Sequence, residues 1–275
     1  MGATNKQDWL NDFFSLQAGM LVSGHPSFSE AVGLHSSDQV VLRFIGNRIK
    51  IHCLILTIAS NNNEWPRVKL VLLAEKAQAV LQSIKNCFPF VLVSLIYDPQ
   101  QNNAFSLLQG SSFINLDESE LSSFFKEMST DLTENIGATK DINKTINDSF
   151  QTWTRKCLSK FIVVNDFDSL STTQRIVFEF KRVKESIENW IPYLDDAANY
   201  ATLLILCKNS EKVNSEKVKL RIISYNVEKN DLISLHTISN AAKDVIEGRY
   251  ILCRPKDVIN SIVGISYKSQ KRRSM

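Results

Sequence analysis

Residues 161–183, FIVVNDFDSLSTTQRIVFEFKRV, decide the fold that we predict for this chain. Two apolar runs in this stretch, FIVV and IVFEF, have the composition of buried β-strands. Asp166 and Asp168 follow the first run, and the second run contains Glu179. Burying a carboxylate is unfavourable unless another group compensates its charge. The stretch therefore predicts two strands with a charged site between them.

The alternation of side chains along a strand relates these acids to a lysine. Glu179 and Lys181 share one face of the predicted strand, and Phe180 points to the other face. Asp166 and Asp168 share a face in the same way, and a tight turn would bring that face beside Glu179. Carboxylates that converge in this manner repel each other unless a hard cation lies between them, and Mg²⁺ suits oxygen ligands of this kind. The ammonium group of Lys181 is then placed to hold or polarise an attacking water.

The pattern NDFDSL…RIVFEFKR resembles the PD-(D/E)XK nuclease superfamily, to which many restriction endonucleases belong. The resemblance covers residues 141–207, in which a helix, the hairpin, a second helix and the strand ATLLILC follow the order of that superfamily's core. It implies that Glu179 and Lys181 are motif residues. It also implies one metal-binding aspartate, for which we favour Asp168 over Asp166.

This resemblance implies a Mg²⁺-dependent endonuclease that hydrolyses phosphodiester bonds of DNA, as in bacterial restriction or another anti-phage defence. The implied catalytic residues are Asp168 or Asp166, Glu179 and Lys181. The metal would be held by Asp168, Glu179 and the backbone carbonyl of Phe180. Two alternatives stay open: a nuclease for RNA or branched DNA, and a non-catalytic nucleic-acid-binding module with the same fold.

Three basic residues flank the two strands and are candidates for contact with phosphate groups: Arg175, Arg182 and Lys184. Positive charge near the site would favour a nucleic-acid backbone, and double-stranded DNA is the partner that we expect. A homodimer, or a complex with a partner protein of a defence system, would also fit the resemblance. The pair Asp195–Asp196 further along the chain could support the metal site without binding the metal, although such acids are more typically solvated or cap a helical turn.

The remaining sequence predicts an α/β protein of mixed α+β type. We expect a restriction-endonuclease-like central mixed sheet flanked by helices in residues 131–275, and an additional N-terminal α/β region in residues 1–130 for recognition, dimerisation or regulation. The expected strands of the second region lie near 161–165, 175–181 and 201–207, and helices 141–159 and 184–198 pack on them. Other expected elements are a hairpin (40–45 and 48–59), a strand that becomes a helix (68–86), a strand (88–98), a helix (116–128), a peripheral hairpin (217–226 and 232–238) and a helix (239–248).

The composition of the chain limits the remaining function classes. The chain has 275 residues, 44% of them hydrophobic, and a formal net charge of +3, which favours a sizeable core and permits nucleic-acid binding. No apolar run approaches the length of a membrane span, and the N-terminus lacks the pattern of a signal peptide, so we expect a cytoplasmic protein without membrane contact. Five scattered cysteines favour free thiols over a zinc site.

Overall fold

The computed structural model describes residues 8–47, 49–101, 104–129, 148–159, 161–183, 186–214, 217–226, 229–242, 245–258 and 265–270. The described helices are α1 (Asp8–Ser15), α2 (Pro26–Ala31), α3 (Trp65–Leu73), α4 (Glu75–Cys87), α5 (Glu118–Met128), α6 (Ser149–Cys157) and α7 (Ala197–Asn214). The described strands are β1 (Met20–Val22), β2 (Gln39–Gly46), β3 (Ile51–Ala59), β4 (Val91–Tyr97), β5 (Phe105–Gln109), β6 (Ser112–Leu116), β7 (Val163–Asp166), β8 (Ser169–Ser171), β9 (Ile176–Arg182), β10 (Lys219–Asn226), β11 (Lys229–Ala242), β12 (Val245–Cys253) and β13 (Ile265–Gln270).

The chain divides into two compact units, each with its own mixed sheet. Unit 1 consists of Met1–Val22, Cys87–Pro89 and Phe167–Met275, and unit 2 of Ser23–Asn86 and Phe90–Asp166. The mixed α+β class that the sequence predicts is confirmed. Within the described ranges, no helix combines the length and the apolarity that crossing a membrane requires.

Unit 1 is built on a seven-stranded sheet in the order β1-β8-β9-β10-β11-β12-β13. Its neighbouring strands are antiparallel except for β9 and β10, which run parallel. Parallel neighbours need a long crossover connection, and α7 lies in the chain between these two strands. The stretch 161–183 therefore supplies a central strand of this sheet, β9, and its antiparallel neighbour, β8.

The two faces of β9 differ because side chains alternate along a strand. Phe178 and Phe180 belong to one apolar core with Phe14 of α1, whose ring centroid lies 5.1 and 5.2 Å from theirs. Aromatic pairs at this separation stabilise a core beyond the area that they bury. Glu179 and Lys181 consequently point to the opposite face, where Tyr200 of α7 lies beside the lysine.

Unit 2 is built on a six-stranded sheet in the order β6-β5-β4-β3-β2-β7. Its neighbouring strands are antiparallel except for β3 and β4, which are parallel and are separated in the chain by α3 and α4. Its main core contains Trp153, whose ring contacts the aromatic rings of Phe105, Phe125 and Phe150. Helix α5 starts at a capping box formed by Asp117 and Glu120, which explains its sharp beginning.

Several of the predicted elements are confirmed. The hairpin of β2 and β3, the strand β4 and the helix α5 lie where the sequence places them, as do β9 and the hairpin of β10 and β11. That second hairpin was predicted to be peripheral, but β10 lies in the middle of the sheet between β9 and β11. The predicted helix 141–159 is described only from 148 onward, where it is α6 of unit 2, and residues 141–147 lie outside the described residues.

The prediction of a strand at 201–207 is wrong, because these residues lie inside α7. A short, wholly apolar run has the composition of a buried strand and of a buried helix alike. The buried residues Tyr200, Leu203 and Leu206 recur every three residues, which is the spacing of a helix face. The parallel neighbour of β9 is instead β10, which starts at Lys219.

Three other predicted elements also differ from the structure. Residues 186–193 form no helix, because Pro192 disfavours one, and a 3₁₀ turn at Leu194–Asp196 leads into α7. Residues 239–242 and 245–248 belong to the paired strands β11 and β12, since cross-strand pairing outweighs their local helix preference, and residues 243–244 lie outside the described residues. The start of 68–86 is helical because α3 buries Val68 and Leu72 at a spacing of four residues.

The apolar run at 161–165 forms strand β7, which pairs with β2 in unit 2 and not with β9. The antiparallel partner of β9 is the three-residue strand β8. The two units also differ from the predicted division at residue 130, because residues 8–22 supply α1 and β1 to unit 1. Residues 8–22 belong to unit 1 because β1 pairs with β8, which lies far away in the sequence. Local composition does not reveal such a long-range pair.

Candidate active site

Asp168 and Glu179 lie opposite each other at the end of the β8–β9 hairpin. Ser169 pairs with Phe178 in this antiparallel ladder, so the next pair in the same register is Asp168 and Glu179. Opposed residues of an antiparallel pair point to the same face, with Cβ atoms about 5 Å apart. The hairpin therefore brings the two carboxylates together through the pairing of β9 with β8.

A hydrogen bond fixes the side chain of Asp168 against β9. The backbone N–H of Phe180 donates to Asp168 Oδ2 over 2.5 Å, which is short for an N–H···O bond. The N–H and C=O of one strand residue point to the same side of the strand. The carbonyl of Phe180 thus faces the edge at which Asp168 lies, and two carboxylates and a carbonyl oxygen approach the same edge of β9.

The ammonium group of Lys181 lies between two acidic side chains. Its Nζ is 3.1 Å from Glu179 Oε1 and 3.5 Å from Asp196 Oδ2. The Nζ atom also lies 5.7 Å from the centroid of the Tyr200 ring. Glu179 is only 8% exposed, so solvent screens its pair with Lys181 less than it would screen a surface ion pair.

Opposing effects act on the pKa of Lys181. Burial alone would lower this pKa, because it disfavours the charged form, but the carboxylates of Glu179, Asp196 and Asp168 together raise it above the ordinary lysine value. The side chain therefore stays an ammonium ion at physiological pH. In this arrangement it is suited to orient a water or to stabilise negative charge, and it is not suited to accept a proton.

Asp196 joins the cluster although the sequence favoured a solvated or capping role for it. The 3₁₀ turn at Leu194–Asp196 ends where α7 begins, and Tyr200 follows Asp196 at a spacing of four residues. The hydroxyl of Tyr200 donates to Asp196 Oδ2 over 3.4 Å. The sequence left a supporting role open but did not predict this contact, because helix 184–198 would place Asp196 near its end and not directly before a helix start. The spacing Asp196-x-x-x-Tyr200 was the available signal.

The contacts described above do not include the other predicted site residues. Asp166 ends β7, where it is exposed and in register with Arg43 in unit 2. Arg175 precedes β9 in a left-handed backbone conformation, with φ of 52°. It lies four residues, or about 13 Å of extended strand, from Glu179. Arg182 follows Lys181 directly and is exposed, and Lys184 lies outside the described residues.

The donor atoms at this edge fit a hard divalent cation that keeps much of its water. Among the described residues, no group of three or more His, Cys, Asp or Glu side chains has the arrangement of a metal site. Asp168, Glu179 and the Phe180 carbonyl nevertheless supply oxygen donors, and Mg²⁺ commonly binds proteins through one or two carboxylates. The carboxylates of Asp168, Glu179 and Asp196 all act on the Lys181 ammonium group, so several negatively charged oxygen atoms lie near this edge.

A buried histidine lies on the same face of the sheet, two strands from Glu179. His236 of β11 is in register with Ile222 of β10, which is in register with Glu179. Its Nε2 is 2.8 Å from the hydroxyl oxygen of Ser234, and its ring packs against Trp190 and Tyr250. Burial lowers the pKa of His236 to about 3, so the folded protein holds it neutral.

We expect this neutral histidine to make the protein less stable in acid. The unfolded chain binds a proton at His236 below pH ~6.5, and the folded chain does so only near pH 3, so stability falls as the pH decreases through this window. The loss between pH 8 and pH 5 should be about 2 kcal/mol of unfolding free energy. The free energy of unfolding should be measured with urea at several pH values. The loss of about 2 kcal/mol between pH 8 and pH 5 should disappear in His236→Phe. The same loss should remain in His35→Gln, which changes an exposed histidine. An identical pH dependence in wild type and His236→Phe would contradict the expectation.

A separate cleft of about 360 Å³ lies in unit 2 near the carboxyl ends of the parallel strands β3 and β4. Its buried acid, Asp38, accepts hydrogen bonds from Ser60 and Arg67, and its second acid, Asp148, caps α6 and accepts a bond from Tyr97. These acids have structural partners, so the β8–β9 edge is the stronger candidate for chemistry.

Comparisons with models of known protein families, with curated proteins and with solved structures found no match for this chain.

Proposed function

We propose that this protein is a Mg²⁺-dependent endonuclease that hydrolyses phosphodiester bonds of DNA at the edge of β8 and β9. One observation carries the proposal: Asp168, Glu179 and Lys181 converge at the end of one hairpin, with two carboxylates and one ammonium group on the same face of the sheet. Carboxylates that share a site with a cation are a recurrent arrangement for phosphodiester hydrolysis.

Each residue of the cluster has a distinct role in this proposal. Asp168, Glu179 and the Phe180 carbonyl would hold the metal, which when bound supplies positive charge for the phosphate oxygens and acidifies a bound water. Lys181 remains an ammonium ion, orients the attacking water and stabilises charge that develops on the phosphate. Its raised pKa supports this electrostatic role over that of a general base.

The order of the helices and strands in unit 1 also supports the proposed function, when it is compared with the order that the resemblance implies. The order implied by the PD-(D/E)XK superfamily is a helix, a hairpin, a second helix and a strand. Unit 1 contains α1, the hairpin of β8 and β9, then α7 and β10, with the acidic pair and the lysine on the hairpin. Most members of this order are not those predicted from the sequence: α1 replaces 141–159, β8 replaces 161–165, α7 replaces 184–198 and β10 replaces 201–207. In the chain, β1 and unit 2 separate α1 from the hairpin. The resemblance also favours restriction or anti-phage defence as the setting of the activity.

DNA binding should weaken steeply as salt concentration increases. The chain has a net positive charge, and Arg182 is exposed directly after Lys181, so phosphate contacts would release counterions from the DNA. Fluorescence anisotropy with a labelled duplex, in Ca²⁺ to prevent turnover, should show an affinity that falls by about tenfold or more between 50 and 200 mM salt. Arg182→Ala should reduce this slope. An affinity that does not change with salt would favour a protein or small-molecule partner.

The proposal is tested by incubating the full chain and Mg²⁺ with a matched panel of labelled double-stranded DNA, branched DNA and RNA. We expect cleavage of double-stranded DNA that stops when EDTA is added. Preferential cleavage of RNA or branched DNA would change the substrate class and keep the chemistry. Binding to the panel without cleavage in Mg²⁺ or Mn²⁺ would identify a binding module instead.

A further inference from the structure

Lys181 has two carboxylate partners, and they lie on different elements of unit 1. Glu179 is on the same strand, and its Oε1 is 3.1 Å from Lys181 Nζ. Asp196 ends the 3₁₀ turn before α7, and its Oδ2 is 3.5 Å from the same nitrogen. The lysine is thus held from its own strand and from the helix that covers this face.

The two partners would not be equally available during the proposed reaction. Glu179 is a proposed metal ligand, and a divalent cation on its carboxylate would compete with Lys181 for the same oxygen atoms. The cation would also repel the ammonium group, because like charges in a partly buried site are poorly screened. A lysine that depended on Glu179 alone would then move away from the water that it is proposed to orient.

Asp196 is built to remain in place when Glu179 changes partner. The Tyr200 hydroxyl donates to the same Asp196 oxygen that faces Lys181, over 3.4 Å. Tyr200 is fully buried in α7, and its ring lies 5.7 Å from Lys181 Nζ, a separation at which a ring attracts a cation. One helix start therefore supplies a carboxylate, a hydroxyl that orients it, and an aromatic face.

We propose that Asp196, oriented by Tyr200, is a positioning residue that keeps the Lys181 ammonium group at the active site while Glu179 binds the metal. The proposal rests on the proposed endonuclease function. It assigns Asp196 to the lysine and not to the metal, and it explains why a carboxylate directly before α7 faces a site that already contains two others.

The proposal is tested with the four proteins of a double-mutant cycle: wild type, Asp196→Asn, Lys181→Met and the double variant. The first measurement is urea unfolding without metal, which requires no activity. Asp196→Asn should lower the unfolding midpoint in the wild-type background and have a smaller effect in the Lys181→Met background. Asp195→Asn is the matched control, because Asp195 is exposed and adjacent in sequence, and it should leave both the midpoint and cleavage unchanged.

The second measurement is DNA cleavage in Mg²⁺ by the same four proteins. Asp196→Asn should lower kcat by about tenfold or more and leave the KM for DNA unchanged, because a displaced lysine affects the chemical step and not substrate binding. In the Lys181→Met background, Asp196→Asn should have no further effect on the residual rate. A further loss there would make Asp196 a metal ligand and overturn the proposal.

The two measurements separate this proposal from the proposed function. Additive effects on the unfolding midpoint, or an unchanged kcat in Asp196→Asn, would overturn the anchoring role even if the wild-type protein cleaves DNA. If the wild-type protein cleaves no nucleic acid, the endonuclease function fails and the catalytic role of Asp196 fails with it. Non-additive unfolding would then show that Asp196 anchors Lys181 as a structural ion pair only.

Discussion

Replacement of Glu179 by glutamine is expected to reduce Mg²⁺-dependent DNA cleavage by about 10³-fold or more, because it removes one of only two carboxylates proposed to hold the metal. The fold should survive the change. Glutamine keeps the shape of the side chain, and its amide oxygen can still accept a hydrogen bond from the Lys181 ammonium group. Single-turnover cleavage of a labelled duplex measures the effect, and circular dichroism verifies the fold.

The matched control for this prediction is Glu127→Gln, which removes an exposed carboxylate at the end of α5 in unit 2. It should cleave DNA like the wild type. A Glu179→Gln protein that cleaves at the wild-type rate would show that the hairpin of β8 and β9 is only a charged edge of the sheet.

Replacement of Lys181 by alanine is expected to slow the chemical step by about 10²-fold or more, the effect of losing one positioned electrostatic group. Metal binding should be retained. The substitution removes the ammonium group that lies between Glu179 and Asp196, so the site becomes more negative. Calorimetric titration with Mn²⁺ should therefore give an affinity at least equal to that of the wild type, while single-turnover cleavage becomes slow.

Lys208→Ala is the control for this second variant, because Lys208 is an exposed lysine of α7 in the same unit. Its cleavage rate and Mn²⁺ affinity should match those of the wild type. Loss of Mn²⁺ binding in Lys181→Ala would mean that the lysine organises the carboxylates. Cleavage at the wild-type rate by the same variant would exclude the role in water orientation.

The alternation of residues along β9 was sufficient to predict much of the site. Glu179 and Lys181 share a face because they are two residues apart, and the turn after Asp168 returns the chain beside them. The choice between Asp168 and Asp166 needed the strand register. A one-residue gap, Phe167, separates the end of β7 in unit 2 from Asp168 in unit 1, and no local pattern marks that boundary.

The errors in the predicted fold have two physical origins. The run at 201–207 is apolar enough for a strand and for a helix, and its composition does not decide between them. The contact of Asp196 with Lys181 was not predicted because it depends on α7 beginning directly after Asp196. The contribution of α1 and β1 to unit 1 depends instead on pairing between residues about 150 positions apart.

The proposed activity is hydrolysis of DNA by the cluster of Asp168, Glu179 and Lys181 with the help of a divalent cation. It is measured as the relaxation and linearisation of supercoiled plasmid DNA by the wild-type protein in Mg²⁺, beside the same reaction in EDTA and with Glu179→Gln. We expect cleavage by the wild type in Mg²⁺ and no cleavage in the other two reactions. Intact plasmid in all three, or cleavage that persists in EDTA or with Glu179→Gln, would contradict this expectation.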